Sequence, residues 1–164
     1  MKFYSEFIVM HADEPMPDEE TFCPSFWQAE DFDSDGDFYA DALEGRWTEL
    51  RLTKRRPDDR DSVLRVNTLR ENRPFEPGIL EVADLERYFD YHAAGRYSAI
   101  PALAELPSLA VTSLAIETPD AGDYREFLET VEGFLEHSGG VLVSPRELDR
   151  AAFRERFLEC GSGH

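Results

Sequence analysis

The sequence predicts an α+β fold, with a mainly antiparallel sheet and about three helices packed on it, in a single domain over residues 1–164. Three observations carry this. Two strand-like runs, RWTELRLTKR at 46–55 and SVLRVNTL at 62–69, flank the turn sequence RPDDRD, so the pair reads as a β-hairpin. The order of elements is β-loop-ββ-α-β-α-β-α, and hairpin-linked strands ahead of alternating elements argue for α+β. No glycine-rich phosphate turn follows a strand, so nothing supports a dinucleotide-binding or P-loop fold.

Each element has its own signal. Residues 2–10, KFYSEFIVM, are aromatic and β-branched and read as the first strand. Residues 11–30 hold three prolines and no period, and read as loop. In the hairpin, Leu50, Leu52, Leu64 and Val66 alternate with Arg51 and Arg65, which puts the leucines and valine on the core and the arginines in water. Val82, Leu85, Phe89 and His92 recur at helical spacing until Gly95. LAVTSLAIE at 109–117 is a strand. A helix over 123–138 follows, with Asp123 as its cap, Glu126 three residues on, and Tyr124, Phe127, Leu128, Val131, Phe134 and Leu135 as one apolar stripe. Gly139 and Gly140 end it. VLV at 141–143 is a short strand. Ser144, Pro145 and Glu147 then read as the cap, first residue and third residue of a last helix that runs to about Glu159.

Composition excludes several classes. Hydrophobic residues make up 41% of the chain, with 12 Phe, 6 Tyr and 2 Trp, more than a disordered acidic chain carries. No apolar run approaches the 18 residues or so that a membrane span needs. MKFYSEFIVM has one lysine and an acid at Glu6, which suits a strand better than a signal peptide. Cys23 and Cys160 have no partner spacing, so reduced thiols and a cytoplasmic location are expected. Net charge is −18, a field that repels nucleic acid and anionic membrane and attracts basic surfaces. The charge is segregated. Residues 1–45 hold 13 acids against Lys2, residues 46–75 hold nine bases and five acids, and residues 76–164 hold 17 acids and seven bases.

The stretch DFDSDGDFYADALE at 31–44 opens like an EF-hand loop, with Asp31, Asp33 and Asp35 at positions 1, 3 and 5 and Gly36 at position 6. Position 12, where a bidentate glutamate belongs, is Ala42, so half the motif is present. A noncanonical calcium loop using Asp31, Asp33, Asp35 and Asp41 is one reading. A solvated Asp-Gly turn is a second, and a protein-binding role for the acids is a third.

Other chemistry is thinly supported. No two of His11, His92, His137 and His164 have helical ligand spacing, and none lies beside a cysteine, so no zinc site is expected. His92 reads as a core-edge residue and His137 as a partner of its helix dipole. There is no nucleophile elbow and no cysteine in a catalytic context. Lys54, Arg55 and Arg56 could hold phosphate, but Asp58, Asp59 and Asp61 beside them favour local ion pairing. Glu126, Glu129 and Glu136 form an acidic strip along the 123–138 helix, either a solvated face or an offer to a basic partner.

The strand-like KFYSEFIVM, the helix DYREFLETVEGFLEHSGG and the unit GGVLVSPRELDRAAFRERF resemble the small acidic immunity proteins of bacterial polymorphic and contact-dependent toxin systems. The resemblance implies a cytoplasmic, non-enzymatic bacterial protein that binds and blocks one cognate toxin. Several such families oppose nucleases, which grip phosphates with basic groups that carboxylates complement. Fifteen Arg against two Lys fit a GC-rich bacterial coding sequence. The expected partner is therefore a basic protein, with no cofactor, metal, nucleic acid or membrane involved. Its binding residues would be Asp31, Asp33, Asp35, Asp37 and Asp41, with Glu126, Glu129 and Glu136. A calcium-binding domain built on Asp31–Asp41 and a small enzyme with an unrecognised site are the alternatives.

Overall fold

The computed structural model describes residues 2–12, 32–37, 47–55, 57–71, 83–104, 106 and 109–159; for residues 32–37, 47, 48, 59, 83 and 104 it describes the backbone alone. Six described strands form one antiparallel sheet: β1 (Phe3–Ala12), β2 (Phe32–Asp37), β3 (Trp47–Lys54), β4 (Ser62–Arg70), β5 (Leu109–Thr118) and β6 (Val141–Ser144), in the order β2-β3-β4-β5-β1-β6. The helices are α1 (Glu86–Ala93), α2 (Pro101–Ala104), α3 (Ala121–Ser138) and α4 (Arg150–Phe153), the last running on as π-helix over Arg154–Glu159. The α+β class with an antiparallel sheet agrees with the sequence reading. Strand β2 and the four-residue α2 are additions to the expected order.

The sheet has two faces. On the first, Phe7, Val9, Leu50, Leu52, Leu64, Val66, Leu114 and Ile116 are buried under α3 and the C-terminal helix. Phe7 is the hinge of this layer: its ring lies 5.8 Å from Phe127, 5.5 Å from Phe153 and 5.2 Å from Phe157. Leu50, Leu52, Leu64 and Val66 are fully buried while Arg51 and Arg65 are exposed, as the alternation predicts. On the second face, Ile8, Met10, Leu69, Val111, Val141 and Val143 lie under Leu85, Tyr88, Phe89, Tyr97 and Leu103.

Two helix starts differ from expectation. The cap of α3 is Asp120, whose Oδ1 accepts from the Asp123 amide at 2.9 Å, so the helix begins two residues earlier than the sequence suggests. Asp120 and Asp123 are both good capping residues three apart, and spacing alone does not separate them. The last helix starts at Arg150, not beside Ser144. Its cap is Asp149, which accepts from the Ala152 amide at 2.8 Å. Ser144–Pro145 is a cis peptide, and Leu142 and Leu148 exchange backbone hydrogen bonds of 2.8 and 3.0 Å, so residues 142–148 turn back on themselves.

Gly139 and Gly140 perform different tasks. Gly139 closes α3 in the left-handed region at φ 67°. Gly140 sits where a Cβ would come within 2.9 Å of His11 Cβ, the Met10 carbonyl and Val9 Cγ1, so the chain can pass this close to β1 only without a side chain.

Candidate binding surface

Of the stretch for which a calcium loop was one alternative reading, residues 32–37 are described, and they are strand. Phe32–Asp37 pairs with β3 along its whole length, with Asp33, Asp35 and Asp37 in register with Thr53, Arg51 and Glu49. An EF-hand loop must curl so that successive carboxylates converge on one ion, whereas an extended strand advances about 3.3 Å per residue and spreads them out. For residues 32–37 the extended strand speaks against the calcium-loop alternative. Among the described residues no three His, Cys, Asp or Glu side chains are grouped as metal ligands would be. Asp31 and Asp41, like Cys23 and Cys160, lie outside the described residues.

The two predicted acid clusters are not brought together. Asp33, Asp35 and Asp37 occupy β2, an edge strand among the described strands. Glu126, Glu129 and Glu136 ride on α3, over the first face near β1 and β5. Each helix acid has a base of the same chain beside it: Glu126 lies 3.7 Å from Lys54, Glu129 is 3.7 Å from Arg125, and Glu136 is 3.7 Å from Arg150. The helix strip is therefore largely neutralised from within, and these loose, half-exposed pairs add little stability.

Buried polar groups that the sequence did not single out hold the first face to its helices. Asp123 is 3% exposed; it accepts from Lys54 Nζ at 2.9 Å and from Ser62 Oγ at 2.6 Å, and Ser62 Oγ lies 2.6 Å from Thr118 Oγ1. So Lys54 forms an ion pair with α3. Glu132 is likewise buried, accepting from Arg150 Nη2 at 2.9 Å and Arg154 Nη1 at 3.3 Å. Farther along, His11 Nε2 contacts Thr112 Oγ1 at 2.7 Å and Thr112 Oγ1 contacts Thr68 Oγ1 at 2.6 Å, a polar row across β1, β5 and β4 beside the fully buried Arg70. None of these buried hydroxyls can meet a substrate, since Ser62, Thr68, Thr112 and Thr118 are all closed to solvent. The two other histidines described are minor: His92 Nε2 lies 3.2 Å from the Leu103 carbonyl at the edge of the second core, and exposed His137 is in the last turn of α3.

The second face is only half covered. Helices α1 and α2 pack over β6, the C-terminal half of β1 and the N-terminal half of β5. Among the described residues, no helix packs over the rest of that face. Tyr4 there is 69% exposed, and Glu6, Arg51, Arg65 and Glu117 are exposed too, while Thr53, Val63 and Ala115 are half-buried. Register places Arg51 directly opposite Arg65, Arg65 opposite Ala115, and Ala115 opposite Glu6. With Asp35 in register with Arg51, one row across five strands reads acid, base, base, alanine, acid. No family model, curated protein or solved structure matches this chain. Among the described residues no helix is long and apolar enough to cross a membrane.

Proposed function

We propose that this chain is a binding protein of the toxin-immunity kind its sequence resembles, acting by occupying a partner rather than by chemistry. The observation that supports this best is the half-covered sheet. A solvated face is ordinary for an antiparallel sheet, so the support lies in what this one displays: its exposed Tyr4, Arg51 and Arg65 are of the residue types enriched at interface centres. The partner is a basic protein, and a nuclease toxin suits it, since the groups that grip phosphate are the ones carboxylates complement. The α3 acids already have bases of this chain beside them, which turns attention to the other acidic stretch, 31–41, as the one offered to such a partner.

Genetics tests this directly. Each gene flanking the one for this chain is expressed in a bacterial host with and without it. The expected result is that one neighbour arrests growth and co-expression restores it. If every neighbour is harmless, or a toxic one is unaffected, the toxin reading fails. With the partner purified, Asp33→Asn, Asp35→Asn and Asp37→Asn together should slow association, most at low ionic strength, whereas Glu126→Gln, Glu129→Gln and Glu136→Gln should change it little.

A further inference from the structure

Arg51 and Arg65 are the anomaly of the open face. They lie directly opposite each other on an antiparallel pair, where Cβ atoms are about 5 Å apart and like charges repel. Both are exposed. The chain has 35 acids, yet among the described residues neither guanidinium makes an ion pair or a hydrogen bond.

We propose that the open sheet face docks a carboxylate-bearing segment of a partner protein, its acid held between Arg51 and Arg65 and an apolar side chain of the same segment set against Tyr4. This rests on reading the chain as a binding protein, and it adds what the partner must carry. Guanidinium is a fork that takes carboxylate through two parallel hydrogen bonds, and two forks on neighbouring strands give one acid a complete set of donors. Tyr4 is two strands away from Arg65 and one register step along, roughly 12 Å by sheet spacings. Val63 and Ala115 lie between them with Glu6 and Glu117, both exposed, on the Tyr4 side, so the docked acid belongs at the arginine end of the row and only its apolar neighbour reaches toward Tyr4. A second copy of this chain fits poorly: each carries −18, and a two-fold axis through the pair would set arginine against arginine. A partner that is basic overall is compatible, because the same row begins at Asp35 and ends at Glu6, so the acid it donates would be flanked by bases.

The test uses the full chain against a random peptide library displayed on phage, in parallel with the double variant Arg51→Gln, Arg65→Gln. Both arginines are exposed, so the double variant should fold, with a melting temperature equal to or above the parent's. Peptides enriched on the parent should carry Asp or Glu with an aromatic or aliphatic residue a few positions away. As synthetic peptides they should shift the Arg51 and Arg65 side-chain N–H resonances and bind the double variant roughly tenfold or more weakly. Their Asn or Gln analogues should lose binding to the same degree. Enrichment of basic peptides only, equal binding to the double variant, or no enrichment over it would each overturn the proposal. Basic peptides alone would still leave the toxin reading standing, whereas failed growth rescue with acidic peptides enriched would leave this docking site standing without the toxin.

Discussion

Leu52 and Arg51 are neighbours on β3, and they live in different media. Leu52 is fully buried beneath α3 and the C-terminal helix, while Arg51 stands in water opposite a second arginine. The same holds along β4 for Leu64 and Arg65. One face of this hairpin is closed by aromatic packing and satisfied buried acids, and the other is left with unsatisfied charge. The second face has its own core under α1 and α2, so the contrast belongs to the hairpin: closed over Leu52 and Leu64, solvated over Arg51 and Arg65.

This contrast is broken most easily on the closed side. Phe134→Ala should cost about 3–5 kcal/mol, near the whole stability of such a domain, because Phe134 is 1% exposed and packs on His11 and the core. Chemical denaturation reads the loss, and a mild result would mean that α3 does not close the first face. Sharper is the neighbour pair: Leu52→Ala should cost roughly 2–5 kcal/mol and Arg51→Ala less than about 0.5 kcal/mol. Equal costs would show that the open face is covered in solution.

Tyr97 probes the helices on the half-covered face. Its hydroxyl is buried with no hydrogen-bond partner, and burial raises its pKa above the usual tyrosine value. Tyr97→Phe should therefore stabilise by about 1 kcal/mol. Because the folded-state pKa is raised, the folded chain keeps its proton where the unfolded chain has lost it. That contribution is fully present below about pH 10 and lost as pH rises beyond it, so alkaline melts of Tyr97→Phe should fall less steeply than the parent's. Identical alkaline slopes would indicate that Tyr97 reaches solvent. The smallest effect is expected at Arg65→Thr, a gain of roughly 0.2–1 kcal/mol from removing a cross-strand repulsion and adding a residue suited to strands. A loss there would mean that Arg65 has a stabilising partner within the chain.

Alternation and helical period made most of the fold legible. The hairpin, β1, β5, the apolar stripe of α3 and the outward placement of Arg51 and Arg65 all follow from periods of two and 3.6. What failed was chemistry read one-dimensionally. Asp-x-Asp-x-Asp-Gly is shared by a curled loop and a polar edge strand, and only the pairing with Leu50 and Arg51 decides between them. Ser144-Pro145 looks like a helix start until the Leu142–Leu148 contact occupies it. The sequence pointed to acids as the binding residues and placed the arginines only as facing water; the register that opposes Arg51 to Arg65 needs both strands at once. Asp123 and Glu132 were unreadable as buried acids, because the bases that permit their burial come from β3 and the last helix, 69 and 18 or more residues distant.

Strand β1 sits inside the sheet, between β5 and β6, although it is made first. Ser5 meets Tyr124 across 119 residues and His11 meets Thr112 across 101. At synthesis rates of up to about 20 residues per second, the run Phe7-Ile8-Val9-Met10 leaves the ribosome at least roughly 5 s before the first strand it pairs with exists. Those four side chains end up almost wholly buried, so for that interval they are the stickiest part of the nascent chain. The order of translation therefore makes this protein a natural client for holding chaperones, and in a cell short of them its yield should fall before that of a protein whose central strands are made in sequence.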